Sequence, residues 1–268
     1  VVPCSPAGEL SPEAVAASLR PNTRLVVLSH ASNVTGTILP VEEVASTLRL
    51  RERGVLLLVD AAQSVGELPL NLQRTPIDLL AFPGHKGLLG PPGTGGLFIR
   101  EGLRLKPLKE GGTGSESELP QQPEAIPDRY ESGTLNSVGI AALGEGVAFL
   151  QERGLENVRR HQLALQRRLQ EGLRRIEGLE LYGPEEPEKR VGILALNVRH
   201  LSPAEVAFIL DQAYGIAVRA GLHCAPWAHR TLGTFPRGAV RISTGCFTTE
   251  EEIDALVKAL AEIAHAAG

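Results

Sequence analysis

Short apolar runs alternate with amphipathic stretches through the first hundred residues. Leu25–Ser29 (LVVLS), Val55–Val59 (VLLLV) and Ile77–Phe82 (IDLLAF) are too short for helices, and their apolar content suits buried strands of a parallel sheet. Ser11-Pro12-Glu13 joins an N-cap residue to proline and an acid, which predicts a helix through Leu19. A second helix is predicted over Val41–Arg53, closed by Gly54. This alternation of strand and helix predicts an α/β fold with a mainly parallel sheet.

The pattern then changes. Gly90–Gly96 is glycine-rich but precedes a strand-like Leu97–Ile99, so it reads as a tight turn with close backbone approach. A dinucleotide fingerprint would follow a strand and open a helix, and no P-loop pattern is present. Pro107–Tyr130 is the longest irregular stretch, of the kind expected to be functional or disordered. Helices are predicted from Asn136 to about Arg153 and over Leu155–Ile176. In the second, arginine pairs at 159/160, 167/168 and 174/175 read as a solvated face, with Leu163, Leu165, Leu169 and Leu173 on the buried side.

From Leu179 the elements shorten. Strands are predicted at Leu179–Tyr182, Val191–Val198, near Ile216–Arg219 and at Ala239–Ser243, with a helix after Ser202-Pro203 and Gly183–Arg190 as an exposed loop. A capping box, Thr248 with Glu251 or Thr249 with Glu252, opens a terminal helix to about Ala266. The expected organisation is a large domain over 1–153, including the linking helix, and a smaller α+β domain over 154–268.

Composition narrows the classes. At 268 residues, 43% hydrophobic and 22% charged, the chain suits a globular protein with a substantial core. A net charge of −4 argues against nucleic acid or an anionic membrane as partner. No apolar run approaches membrane-spanning length, and Val1–Cys4 does not resemble a signal peptide. Cys4, Cys224 and Cys246 are few and far apart, which argues against a disulfide framework or a zinc cluster and makes a reducing cytoplasm the expected setting. The sequence has no methionine, so the expectation is a processed, cut or incomplete chain.

The three strands deliver Asn33, then Asp60 with Gln63, then His85 with Lys86 to one sheet edge, where open α/β sheets bind ligands. Each has an ordinary explanation: a turn for Asn33, a helix N-cap for Asp60, a surface amide for Gln63, loop residues for His85 and Lys86. Together, a primary amine, a carboxylate and amides suit a cofactor held through an amine, such as pyridoxal 5'-phosphate. In the second half, Cys224 follows His223 and lies five residues after Arg219, surroundings that lower a thiol pKa if the groups meet in space; a small buried hydrophobe is the competing reading. Arg241 interrupts an alternating strand, either as a surface charge or as a bidentate clamp for a substrate carboxylate. Cys4 and Cys246 have no comparable surroundings.

The motifs SNVTGT (32–37), DAAQS (60–64), GHKGLLGPPGTGG (84–96), ESGTLN (131–136), RAGLHCAP (219–226) and VRISTGCFTTEEEID (240–254) span nearly the whole chain. As a set they resemble the fold-type-I, class V aminotransferase group of pyridoxal-phosphate enzymes, and within it the cysteine desulfurase-like branch. The resemblance implies that Lys86 forms the internal aldimine, Asp60 meets the pyridine nitrogen, Gln63 the ring hydroxyl, and His85 with Ser64 the phosphate. It further implies that Asn33 and Arg241 hold the substrate carboxylate. Cys224, with His223 beside it, would be the sulfur-accepting nucleophile.

The implied activity takes sulfur from L-cysteine, releases L-alanine and leaves a persulfide on Cys224 for a sulfur-acceptor protein. Thr134 would reach the phosphate of a partner subunit in a homodimer, and no metal is implied. A selenocysteine lyase or another class V enzyme is the neighbouring alternative; an inactive truncated fragment serving as a dimerisation or scaffold module is the alternative of another class. The family has about a hundred further residues before the point matching Val1, consistent with ordinary two-domain sizes. Those residues supply part of the phosphate cradle and a ring stacked on the cofactor. Leu222 stands where many relatives carry another histidine, which implies different proton delivery near the thiol.

Overall fold

The computed structural model describes residues 1–47, 54–116 and 118–268. Strands β1 (Leu25–Ser29), β2 (Leu56–Asp60), β3 (Leu79–Pro83) and β4 (Gly95–Ile99) form one sheet in that order, the first three parallel and β4 antiparallel to β3. The register sets Ser29 beside Asp60 and Asp60 beside Ala81. The carboxyl ends of the parallel strands are therefore level, and their exit loops share one rim.

Helices α1 (Pro12–Ala17) and α2 (Val41–Ser46) contribute Val15, Val41 and Val44 to a core with Leu57, Val59 and Leu80. Ser11 caps α1 by accepting from the Ala14 N–H at 3.2 Å. The helix stops at Ala17 rather than Leu19, where the Ser18 hydroxyl donates back to the Ala14 carbonyl at 2.8 Å. Of the helix expected over Val41–Arg53, the first six residues are helical, and 48–53 lie outside the described residues. Strand β1 differs from its expected burial: Leu25 is 43% and Val27 64% exposed. Among the described residues no strand pairs with its outer edge, and only the face bearing Val26 and Leu28 packs into the core, the face of Leu25 and Val27 being left uncovered.

The glycine-rich turn has the expected cause. A Cβ on Gly95 would press on the Phe82 carbonyl, and one on Gly96 would overlap the Phe82 ring. Within Pro107–Tyr130 the described residues hold one 3-10 turn, Asp128–Tyr130. Gln122 ties this stretch together, donating to the Asp128 carbonyl at 2.9 Å and accepting from the Gly111 N–H at 2.8 Å.

Helix α3 (Ser137–Arg153) is capped by Asn136, and α4 (Leu155–Leu173) begins after Gly154. Leu165, Leu169 and Leu173 are buried as expected, whereas Leu163 is only half-buried and Gln162, Gln166 and Gln170 are buried. Arg159 also departs from the solvated-face reading. Its guanidinium donates to the carbonyls of Arg190 at 2.8 Å and Glu188 at 2.9 Å, because the buried stripe of α4 extends towards the segment that leads into the second sheet.

That sheet comprises β5 (Leu179–Tyr182), β6 (Ile193–Val198), β7 (Arg219–Gly221) and β8 (Ala239–Ser243), in the antiparallel order β5-β6-β8-β7. β7 lies later than the strand expected near Ile216–Arg219, and β6 starts at Ile193 rather than Val191. Helices α5 (Pro203–Tyr214) and α7 (Glu250–Ala267) join α4 over one face, burying Leu194, Leu196, Val240, Ile242 and Leu260. Both helices open with capping boxes, Ser202 with Glu205 and Thr249 with Glu252. The short α6 (Pro226–Thr231) follows the Cys224 loop and carried no helical signal long enough to read.

The opposite face turns Ala195 and Ala239 onto Val34, from the loop after β1. Gly183–Arg190, expected as an exposed loop, instead contains a 3-10 turn (Pro187–Lys189) and the buried Arg190, which donates to the Tyr182 carbonyl at 3.1 Å. The Ile38 N–H donates to the Lys189 carbonyl at 2.8 Å, and the Val191 N–H to that of Gly36 at 2.9 Å. The rim of the first sheet is thereby fixed against the second.

Candidate cofactor and thiol site

A cavity of about 430 Å³ opens at this rim, and Asn33, Asp60, Gln63, Lys86 and Cys224 all line it. Each wall residue arrives for a local reason. Asp60 ends β2, and its Oδ1 accepts from the Ala62 N–H at 2.9 Å, which fixes the exit turn. Lys86 lies on the return between β3 and β4. That return is closed by the Gly84 N–H donating to the Thr94 carbonyl and the Gly90 N–H to the Gly84 carbonyl, both at 2.8 Å. Partial desolvation pushes the Lys86 amine below the ordinary lysine value; the Asp60 carboxylate opposes this and the Arg241 guanidinium adds to it.

Cys224 comes from the other sheet. It follows β7 in a loop with three positive φ angles, 110° at Gly221, 52° at His223 and 58° at Cys224. The loop leaves Cys224 exposed and turns His223 inward, to 3% exposure. The His223 Nε2–H donates to the Ala239 carbonyl at 3.0 Å. Burial, with the charge of Arg241 second, lowers its pKa to about 4, so the ring is neutral. The imidazole expected beside the thiol is thus packed away from the cavity. The guanidinium expected there is present: Arg219 Nη2 lies 3.7 Å from Cys224 Sγ. Arg241 donates through Nη1 to the Asn33 carbonyl at 3.0 Å, its Nε is buried without a partner, its charge acts on Lys86, and Cys224 stands close enough to act on the Arg241 guanidinium.

Other expected site residues lie outside this wall. Ser64 is buried, its hydroxyl donating to the Ala61 carbonyl at 3.3 Å. His85 is exposed beside Lys86, and Thr134 is exposed ahead of α3. Cys4 and Thr231 also reach the cavity, though nothing in the sequence placed them there. Cys4, half-buried with its thiol pKa raised by desolvation, shares the cavity with Cys224, and Thr231 enters from α6. Cys4 is 220 positions away in the chain, so no local pattern could pair them.

An amine-bearing return at the carboxyl edge of a parallel sheet, faced by a carboxylate and by a smaller α+β lobe, defines the fold-type-I architecture of pyridoxal-phosphate enzymes. The sequence matches the aminotransferase class-V family over residues 1–256, and the chain belongs to that family. It is 36% identical over 98% of its length to a probable cysteine desulfurase of Methanothermobacter thermautotrophicus, and covers 66% of that protein. It is 34% identical over 98% of its length to a cysteine desulfurase of Salmonella agona, and covers 64% of it. The apo structure of a cysteine desulfurase from Thermococcus onnurineus superposes with a TM-score of 0.91 at 34% identity, over 99% of this chain and 66% of that one. The chain thus spans just under two thirds of the length of these relatives. No helix among the described residues is long and apolar enough to cross a membrane.

Proposed function

We propose that this chain carries the site of a pyridoxal-phosphate-dependent cysteine desulfurase, acting on L-cysteine. The carrying observation is that Lys86, Asp60 and Cys224, from two different sheets, line one cavity within reach of the Arg241 charge. The donor set fits the cofactor: a partly desolvated amine for its aldehyde, a carboxylate for its ring nitrogen and the Gln63 amide for its hydroxyl. The bound cofactor supplies an electron sink for the bonding pair released at the substrate α-carbon.

The protein's own groups do the rest. Lys86 Nζ, with its lowered pKa, accepts the proton from the substrate α-carbon and returns it to the product. Arg241 binds the substrate carboxylate, and Asn33, with one amide hydrogen committed to the His223 carbonyl, offers its second. Cys224 Sγ, exposed and 3.7 Å from Arg219 Nη2, attacks the substrate sulfur. The substrate C–S bond breaks with its electron pair on carbon, a proton completes the alanine methyl group, and sulfur stays on Cys224 as a persulfide. His223 serves this step through the loop it anchors.

Ser64 and His85 are assigned to the phosphate. Thr134, exposed before α3, is assigned to the phosphate site of a second copy in a homodimer. Residues 1–153 act as the cofactor domain and 154–268 as the small domain. A sulfur-acceptor protein takes the persulfide from the exposed Cys224, and the three free cysteines suit a reducing cytoplasm.

Incubation with L-cysteine and pyridoxal phosphate tests this reading. Alanine release with one extra sulfur on the Cys224 peptide supports it. Sulfur-free alanine chemistry that survives Cys224→Ser would assign the site to another class V reaction.

A further inference from the structure

We propose that Glu67 is a positioning residue for Lys86, a proton-dependent tie between the second lobe and the loop that carries the amine. The assignment of Lys86 as the cofactor lysine rests on the function proposed above; the tie itself rests on packing. Val65–Glu67 and Lys86–Leu88 lie backbone against backbone. A Cβ on Gly66 would overlap the Gly87 carbonyl, one on Gly87 would overlap the Val65 carbonyl, and the Glu67 Cγ stands 3.3 Å from that same Gly87 position. Movement of Glu67 is therefore passed directly to the residue after Lys86.

The carboxyl of Glu67 reaches the other lobe. Its Oε2 accepts from the Gly192 N–H, just ahead of β6, at 3.3 Å. From α4, Arg159 faces it as a charge and Gln162 as a hydrogen-bonding amide. From the turn after β8, the buried Cys246 faces it, with Arg153 acting on that thiol in turn, and Glu188 stands behind Arg159. Burial outweighs these stabilising partners and raises the Glu67 pKa to about 7. Gln162 Oε1, on the same helix face, is buried without a partner. The protonated form avoids the desolvation of the carboxylate between the lobes, a cost that the Gly192 N–H, Arg159 and Gln162 offset only in part.

The sign follows from the raised pKa. The folded state holds its proton up to about pH 7 and the unfolded state only to about 4.5, so this contribution is full below 4.5 and is lost as pH rises through 7.

Thermal unfolding of the whole chain and of Glu67→Gln, followed from pH 4.5 to 8.5, tests the tie without added cofactor. The two midpoints are expected to coincide at the acid end and to separate up to pH 7, with the Gln variant the more stable above it; a constant offset overturns the titration. Should the variant not fold, 13C-Glu NMR of the wild-type chain decides, and the absence of a carboxyl titrating near pH 7 overturns the proposal.

Coupling to Lys86 is read from hydrogen exchange at Leu89 and Gly90, whose amides close the Lys86 loop on the carbonyls of Lys86 and Gly84. Protection is expected to fall on the order of tenfold from pH 5.5 to 8 in the wild type and to stay level in Glu67→Gln, after correction for intrinsic exchange. The same pH course in both proteins overturns the coupling. Failure to take up pyridoxal phosphate would remove the proposed function while leaving these outcomes readable.

Discussion

Asn33 and His223 are tied across the two lobes: Asn33 Nδ2 donates to the His223 carbonyl at 2.8 Å. The same asparagine offers its backbone carbonyl to Arg241 Nη1 at 3.0 Å. One residue after β1 thus fixes both the loop that presents Cys224 and the guanidinium assigned to the substrate carboxylate. Asn33→Ala leaves the His223 carbonyl unpartnered, with an expected loss of about 1 kcal/mol in urea unfolding. It also loosens the Cys224 loop, so exchange of the Ala225 amide, bonded to the Leu222 carbonyl at 2.8 Å, should accelerate.

The three thiols differ in access and environment. Cys224 is exposed, Cys4 is half-buried in the same cavity, and Cys246 is 6% exposed; burial raises the pKa of the latter two. A maleimide should therefore label Cys224 first, Cys4 second and Cys246 last. Peptide mass spectrometry over a time course gives the order directly.

Gly36 carries a φ of +74°, and a Cβ there would overlap the Ile193 carbonyl, where the loop after β1 meets the second lobe. Gly233 has a similar φ of +73° with open space around it. Gly233→Ala should cost the backbone strain alone, about 1–2 kcal/mol. Gly36→Ala adds displacement of the lobe contact and should cost at least about twice as much, as measured by chemical denaturation.

Acid should weaken the fold through its buried histidines, His30, His223 and His229, each with its pKa lowered by desolvation. Desolvation lowers the pKa of both His30 and His223 to about 4, from 6.5. The folded state therefore binds fewer protons than the unfolded chain, and their contribution is present above 6.5 and lost as pH falls towards 4. His30→Gln and His223→Gln should each flatten the decline of the unfolding midpoint between pH 6.5 and 4. Glu67 acts with the opposite sign over part of this range, so the decline should be steeper in Glu67→Gln.

What the sequence displayed was what depends on near neighbours. The β1 and β8 boundaries, the starts of the helices after Ser202 and at Thr248 or Thr249, and the close approach at Gly95-Gly96 were readable from local pattern; the structure selects Thr249 with Glu252 as the capping box. So was the convergence of Asn33, Asp60, Gln63 and Lys86, because parallel strands of similar length deliver their exits to one rim. The exposure of Val27 was not readable, since an apolar run does not say which face of its strand is covered by other segments. Neither was the inward turn of His223, set by left-handed backbone at successive positions, nor the half-burial of Arg159 and the burial of Arg190, which depend on carbonyls supplied from distant segments. Cys4, set aside in the sequence for want of neighbours, and Glu67, which carried no signal, were missed for the same reason: their partners are distant in sequence.

The central claim is that Lys86, facing Asp60 in this cavity, holds pyridoxal phosphate covalently. The direct measurement is an absorbance spectrum of the folded 268-residue chain with added pyridoxal phosphate, before and after borohydride, alongside Lys86→Ala. The account expects a visible band in the wild type, made permanent on the Lys86 peptide by borohydride and missing in the variant. A folded wild-type chain with no band, or a band that persists in Lys86→Ala, would contradict it.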